Sequence, residues 1–191
     1  WMKRKAAERN CAIAGSVAVC ENGNYYNRFY FVYPDGAVQH YDKKHLFTFG
    51  GEHKRFTAGT ERVVVNFRGV RILLEVCYDL RFPVWARNLG DYDMILYVAS
   101  WPTPRVDAWS ALLRARAIEN QCYVAGVNRM GVDPACEYSG GSAIIDPYGK
   151  TIAECPWSRE SAVSADIDME ALQAFRKKFP VLDDADPFTL I

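Results

Sequence analysis

Arg71-Ile-Leu-Leu-Glu-Val-Cys77-Tyr-Asp-Leu-Arg81-Phe-Pro83 is the stretch on which the reading of this chain turns. An apolar β-run ends at Cys77, and the chain then turns toward a helix at Pro83. A side chain at that point sits on a sharp turn at the edge of a sheet. The backbone N–H groups that follow it are free to hold an oxyanion. Cys77 has two readings. It is either a small buried hydrophobe, the usual fate of a free cysteine, or a nucleophile.

Working outward, Arg62 to Phe67, the turn Arg68-Gly69 and Val70 to Cys77 form a hairpin. Before it, Tyr25 to Tyr33 is strand-like, closed by Pro34-Asp35-Gly36 and paired back by Ala37 to Asp42. Cys11 to Val19 is a small apolar run suited to a strand buried on both faces, and Trp1 to Asn10 reads as a helix with its charges, Lys3-Arg4-Lys5 included, on the solvated side. After Cys77, Pro83 to Leu89 is a short helix and Met94 to Ser100 a buried strand. Ala108 to Asn120 is a helix with Asp107 at its N-cap and Trp109, Leu112, Leu113 and Ala117 at helical spacing. Cys122 to Val127 is a further buried strand. Ser142 to Asp146, Pro147-Tyr148-Gly149-Lys150 and Thr151 to Cys155 make a third hairpin, followed by a strand from Ala162 to Ile167 and an amphipathic helix from Met169 to Phe179. Strands and helices alternate with hairpins between them, so the expected class is α/β with a mixed sheet. No linker or repeat divides residues 1–191, which read as one domain.

The composition excludes several functions. Half of the 191 residues are apolar and a quarter charged, with 23 basic residues balancing 23 acidic ones. Such a chain offers no electrostatic case for nucleic acid or an anionic membrane. No apolar run approaches the roughly 20 residues of a membrane span, and the N-terminus lacks a signal-peptide pattern, so a cytoplasmic protein is expected. Six cysteines are scattered without CxxC pairs, and His40, His45 and His53 show no metal-ligand spacing; neither a disulfide framework nor a zinc site is expected.

A thiol needs a base and a cation to act as a nucleophile near neutral pH. Tyr41-Asp-Lys43-Lys44-His45-Leu-Phe47 contains both types. If the segment is extended, Lys43 and His45 share one face and Lys44 takes the other. His45 could then pair with Cys77, or Lys43 could be a buried ammonium beside the thiolate. Spacing alone leaves both open, along with a solvated turn and a core histidine.

These two stretches, with Ala-Arg-Ala-Ile-Glu-Asn-Gln at 115–121, Trp101-Pro102 and Ser142-Ala-Ile-Ile-Asp-Pro-Tyr-Gly149, resemble the nitrilase superfamily of carbon–nitrogen hydrolases, and within it the omega-amidase branch. The motifs run in the right order along the whole chain. The resemblance implies a four-layer α-β-β-α sandwich, usually a homodimer, with no metal or organic cofactor. It implies Cys77 as nucleophile, Lys43 as the catalytic lysine, Glu52 as the accessory glutamate and Tyr78 as a backbone donor to the oxyanion. Trp101 would form a pocket wall, and Arg105 is the candidate for holding a substrate carboxylate. Arg114, Arg116 and Glu119 read as a structural ion-pair network, and Asn128 and Arg129 lie near the site without an assigned role.

One part of the pattern has no match. The superfamily uses a further glutamate, in a Pro-Glu context on an early strand, as general base. Before Lys43 only Glu8 and Glu21 are available, and neither follows a proline or a buried strand. The expectation is therefore a chain lacking the first strand–helix portion and inactive alone, whose parent hydrolyses the side-chain amide of a small dicarboxylic acid monoamide of the 2-oxoglutaramate kind. A carbamoylase, a nitrilase or a non-catalytic binding relative are the other readings. Joint retention of Lys43, Cys77 and Glu52 argues against the last.

Overall fold

Helix α1 (Met2–Arg9) opens the chain in the computed structural model, which describes residues 1–189. Its charged side is laced by Lys5–Glu8 and Arg4–Glu8 pairs, while Ala6 is fully buried. Strands β1 (Ile13–Glu21), β2 (Asn24–Val32) and β3 (Val38–Asp42) form a three-stranded antiparallel sheet in that order. Asn22 and Gly23, both at positive φ, make the β1–β2 turn, whose twist matches the strands it joins. β1 is not buried on both faces as its small apolar residues suggest. It is an edge strand among the described residues, and Val17 is half exposed.

The second sheet holds β4 (Val64–Phe67), β5 (Val70–Val76), β6 (Met94–Ala99), β7 (Tyr123–Asn128), β10 (Ala143–Ile145) and β11 (Thr151–Glu154), in the order β11-β10-β7-β6-β5-β4. Its centre, β5-β6-β7, is parallel and its flanks are antiparallel. That placement explains the near-continuous apolar runs of the central strands, which are covered on both faces. A small hairpin, β8 (Met130–Val132) with β9 (Glu137–Ser139), leaves β7 on one side of the cavity described below.

Two apolar layers hold the sheets in place. Phe29, Phe31 and Tyr41 of the first sheet meet Val65, Ile72, Leu74, Val76 and Val98 of the second. On the opposite face, Leu73, Ile95 and Val124 pack under Trp109, Leu113 and Ala117 of α3 (Val106–Glu119). Each such side chain contributes about 1.5–3 kcal/mol when fully withdrawn from water. With α1 against β1 and β2, the layers follow the α-β-β-α order. α4 (Met169–Lys178) is capped by the Asp168 carboxylate, which accepts from the Ala171 N–H at 2.8 Å.

Four local expectations need correction. The helix at Pro83, α2 (Pro83–Ala86), stops at Ala86, because the buried Asn88 side chain bonds the Tyr92 and Asn120 carbonyls and folds the next residues into a turn. Asp107 is not the N-cap of α3: a 3-10 turn over Thr103–Arg105 feeds directly into the helix at Val106, leaving Asp107 in its first turn. Residues 162–167 form no strand, since they are largely exposed and lie against no ladder partner. Arg116 pairs with Glu119 at 2.6 Å and donates to the Leu80 carbonyl, but Arg114 takes no part in an ion pair among the described residues.

Gly126 on β7 lets α3 approach the sheet. A Cβ there would lie 2.5 Å from Leu113 and 2.8 Å from Trp109, both in the packed core. Gly126→Ala should therefore cost about 1–3 kcal/mol and lower Tm by roughly 2–10 °C in a thermal melt followed by circular dichroism.

Candidate active site

The carboxyl ends of the three parallel strands, β5, β6 and β7, open onto one cavity of about 820 Å³. Its lining brings together Lys43, Glu52, Cys77, Tyr78, Trp101 and Arg105, residues drawn from widely separated parts of the sequence. Cys77 stands directly after β5, at the head of a 3-10 turn over Cys77–Arg81, with φ of +50°. A non-glycine residue in that region carries backbone strain of about 1–3 kcal/mol. The thiol reaches toward the Ser100 carbonyl at 3.8 Å, just past the end of β6.

Lys43 is 3 % exposed, so its ammonium needs a counter-charge close by. Glu52 supplies it at 2.6 Å. The same oxygen accepts the Phe47 N–H at 2.6 Å, and the other accepts from the Asn27 amide at 3.2 Å. Burial pushes the Glu52 carboxyl up, but Lys43, the Phe47 N–H and Asn27 outweigh it and hold its pKa below the usual carboxylate range. The pair's contribution is therefore present from the ordinary glutamate range upward and lost only as pH falls through that depressed value. Gly51, at φ +74°, sits between the turns Thr48–Gly50 and Glu52–Lys54 and swings the carboxylate back over Lys43.

The segment after Asp42 is bent, not extended, so the expected alternation fails. Lys43 turns into the cavity, while Lys44 and His45 both go to Trp85. The His45 ring lies flat on Phe82 at 3.8 Å and bonds Asp79 through Nδ1 at 2.8 Å; it does not line the cavity. Of the two cation arrangements that spacing left open, the lysine is the one beside the thiol.

Trp101 is buried, its Nε1–H donating to the Arg105 carbonyl at 2.7 Å. Arg105 spreads over Phe47 at 5.5 Å, and Arg81 over Trp101 at 4.9 Å. Neither guanidinium has a carboxylate partner among the described residues, whereas Arg129, also in the lining, pairs with Asp133. Arg81, Asn27 and Phe47 were not singled out from the sequence. Arg81 could have been, as an arginine in the turn just after the cysteine. Asn27 carries no local signal. Asn128 has a defined place: its side-chain amide bonds both the N–H and the carbonyl of Trp101 and also the Gly140 carbonyl, pinning the pocket wall.

The carbon-nitrogen hydrolase family model matches residues 1–177. The chain belongs to that family. It is 53% identical over 191 residues to "Omega-amidase YafV" of Escherichia coli K12, covering the whole of this chain and 75% of that protein, and 41% identical over 188 residues to "2-oxoglutaramate amidase" of Bacillus subtilis 168, covering 96% and 72%. Among solved structures, XC1258 from Xanthomonas campestris, a CN-hydrolase superfamily protein with an arsenic adduct in its active site, superposes with a TM-score of 0.96 at 47% identity, covering all of this chain and 75% of that one. The protein is thus an enzyme of the carbon–nitrogen hydrolase class, with the α/β sandwich of the nitrilase superfamily. No helix among its described residues is long and apolar enough to cross a membrane.

The electrostatics of this hydrolase's thiol can be read directly. Burial pushes the Cys77 thiol up, Lys43 and the Ser100 carbonyl contact pull it down, and Glu52 and Asp79 push it up again; the balance lies above the ordinary thiol value. Alkylation of Cys77 by iodoacetamide should consequently rise through an alkaline midpoint. Lys43→Met, which removes the cation, should move that midpoint higher still. A midpoint that stays put in the variant would mean that the ammonium does not act on the sulfur.

Proposed function

We propose that this chain carries an omega-amidase site, in which Cys77 is the nucleophile toward the side-chain amide of a small dicarboxylic acid monoamide such as 2-oxoglutaramate. The observation that carries the reading is one cavity holding a thiol on a strained turn, a buried ammonium fixed by Glu52, and two guanidiniums without carboxylate partners. The Cys77 thiolate attacks the amide carbon, and the resulting oxyanion is held by the Lys43 ammonium and the Tyr78 N–H. The nitrogen takes up one proton, equivalent to the one the thiol gave up, and collapse of this intermediate breaks the C–N bond and releases ammonia. Water then cleaves the thioester, giving the dicarboxylate and the free thiol. Arg105 and Arg81 receive the substrate's free carboxylate, since a planar guanidinium matches a carboxylate in two parallel hydrogen bonds. Trp101 forms the wall beside them.

The proton of the thiol has no ready acceptor in the cavity. Glu52 is the one carboxylate in its lining among the described residues, and its oxygens are engaged by Lys43, Phe47 and Asn27. Proton transfer by a positioned base is typically worth about 10²–10⁴-fold in rate. Ammonia release from 2-oxoglutaramate by the 191-residue chain should be lower than that of the Escherichia coli relative by a factor of that order, and should vanish in Cys77→Ser. Butyramide, which lacks the carboxylate, should be the poorer substrate, and Arg105→Met should narrow the difference mainly through KM. Equal turnover of butyramide and 2-oxoglutaramate would sink the carboxylate assignment, and release that survives Cys77→Ser would sink the nucleophile.

We further propose a cytoplasmic homodimer joined through the α3–α4 layer. Ile118, Tyr148 and Phe179 are all at least half exposed on this side, and the Tyr148 ring, from the turn between β10 and β11, packs tilted against Phe175 of α4 with centroids 4.0 Å apart. Light scattering on the parent chain should give twice the chain mass, and Ile118→Asp with Phe179→Asp should give one.

A further inference from the structure

Asp79 lies two residues after Cys77, is wholly buried and lines no part of the cavity, yet four hydrogen bonds converge on its carboxylate. One oxygen accepts the His45 backbone N–H at 2.9 Å and His45 Nδ1 at 2.8 Å. The other accepts the Tyr41 hydroxyl at 2.8 Å and the Val76 N–H at 3.0 Å. A carboxylate is an acceptor only, so the Nδ1 that faces it carries a proton. The Tyr41 hydroxyl in turn accepts the Lys44 N–H at 3.0 Å.

The partners come from two segments. Val76 is the last residue before the thiol, and Tyr41, Lys44 and His45 bracket Lys43 on both sides. Through Asp79 the strained turn and the bent lysine segment are bonded to the same group. Cys77 has left β5. Although the Lys43 N–H still donates to the Asn27 carbonyl at 3.0 Å and its carbonyl accepts the Gly59 N–H at 2.9 Å, the segment from Lys44 onward has left β3 and is held through Tyr41 and Asp79. Around them, Phe82 covers the His45 ring and Lys44 sits over Trp85 at 5.2 Å, which shields the carboxylate from water.

We propose that Asp79, acting with Tyr41 and His45, is a positioning clamp that sets the Lys43 ammonium against the Cys77 sulfur. The inference rests on the roles given above to Lys43 and Cys77. His45 and Asp79 form an acid–imidazole pair turned away from the nucleophile, and its work is geometric. Misplacement by about 1 Å of a group that must meet the reacting atoms can cost of order 10²-fold in rate.

The test measures the coupling between Lys43 and the thiol and needs no turnover. In the parent, Lys43→Met should raise the pH midpoint of Cys77 alkylation; in the Asp79→Asn background that rise should shrink by at least half. Asparagine keeps the shape but turns an N–H₂ toward two donors, whichever way its amide lies. The groups acting on the sulfur are Lys43, the Ser100 carbonyl, Glu52 and Asp79, and comparing the two backgrounds removes the direct effect of the lost Asp79 charge. Tyr41→Phe, which removes one bond of the four and with it the acceptor of the Lys44 N–H, should give a smaller loss of coupling and stands in if Asp79→Asn does not fold. Asp93 is an equally buried carboxylate paired with Arg71 and Arg176 away from the cavity. Asp93→Asn should lower Tm while leaving the Lys43→Met rise intact. An unreduced rise in the Asp79→Asn and Tyr41→Phe backgrounds, or an equal reduction in Asp93→Asn, would overturn the clamp. Equal turnover of butyramide and 2-oxoglutaramate would count against the amidase reading alone, because the alkylation cycle still decides the clamp.

Discussion

A buried ammonium cannot stand alone, and the site of this protein is organised around that constraint. Lys43 has left water almost entirely, so a carboxylate must meet it inside the fold. Glu52 does so from a loop that reverses twice through short turns, and the loop's shape follows from the need to bring that carboxylate back to the lysine. The same oxygen fixes the Phe47 N–H, so Phe47, which carries the Arg105 guanidinium on its ring, takes its place from the ion pair as well. Charge pairing, loop conformation and pocket wall are thus one arrangement.

The cavity owes its position to the sheet. In an open sheet with a parallel centre, the strands' carboxyl ends are where the chain must leave for a crossover, and where backbone groups are released from the ladder. Cys77, Ser100 and Asn128 stand at the ends of β5, β6 and β7 in turn, and all three line the cavity. Each stands differently there: a thiol on a strained turn, a carbonyl facing the sulfur, and an amide that grips the Trp101 backbone. The strain at Cys77 is sustained because Asp79 holds the N–H just before it and the apolar layers above and below admit little rearrangement.

The elements that were legible in the sequence are those with strong periodicity or strong turn chemistry. The hairpin through Arg68-Gly69 and the helix under Trp109, Leu113 and Ala117 lie where their patterns place them. Errors arose where a side chain overrides the local pattern. Asn88 stops a helix that its neighbours would continue, and Ala162 to Ile167 alternates like a strand without an edge to join. Trp101, Glu52 and Lys43 were nameable by their motifs and Arg105 by the charge of the expected substrate, and the fold brings them to one cavity. Arg81 had a local signal only in its place just after the cysteine, and Asn27 had none, because nothing in its own segment distinguishes a binding amide from a solvated one.

By itself the sequence determined the α/β class, through patterns of period two and 3.6, and the family, through the order of its motifs, whose resemblance names the thiol, lysine and glutamate. Residue spacing left open whether His45 or Lys43 accompanies Cys77, and the resemblance chose Lys43. What only the tertiary structure decided is where the His45 ring goes, by bending the chain after Asp42 and committing that ring to Asp79 and Phe82. The physical reason is that such a choice depends on which buried polar group finds a partner 34 to 38 residues away in sequence, and pairing at that range is set by the packed sheets, not by neighbours along the chain.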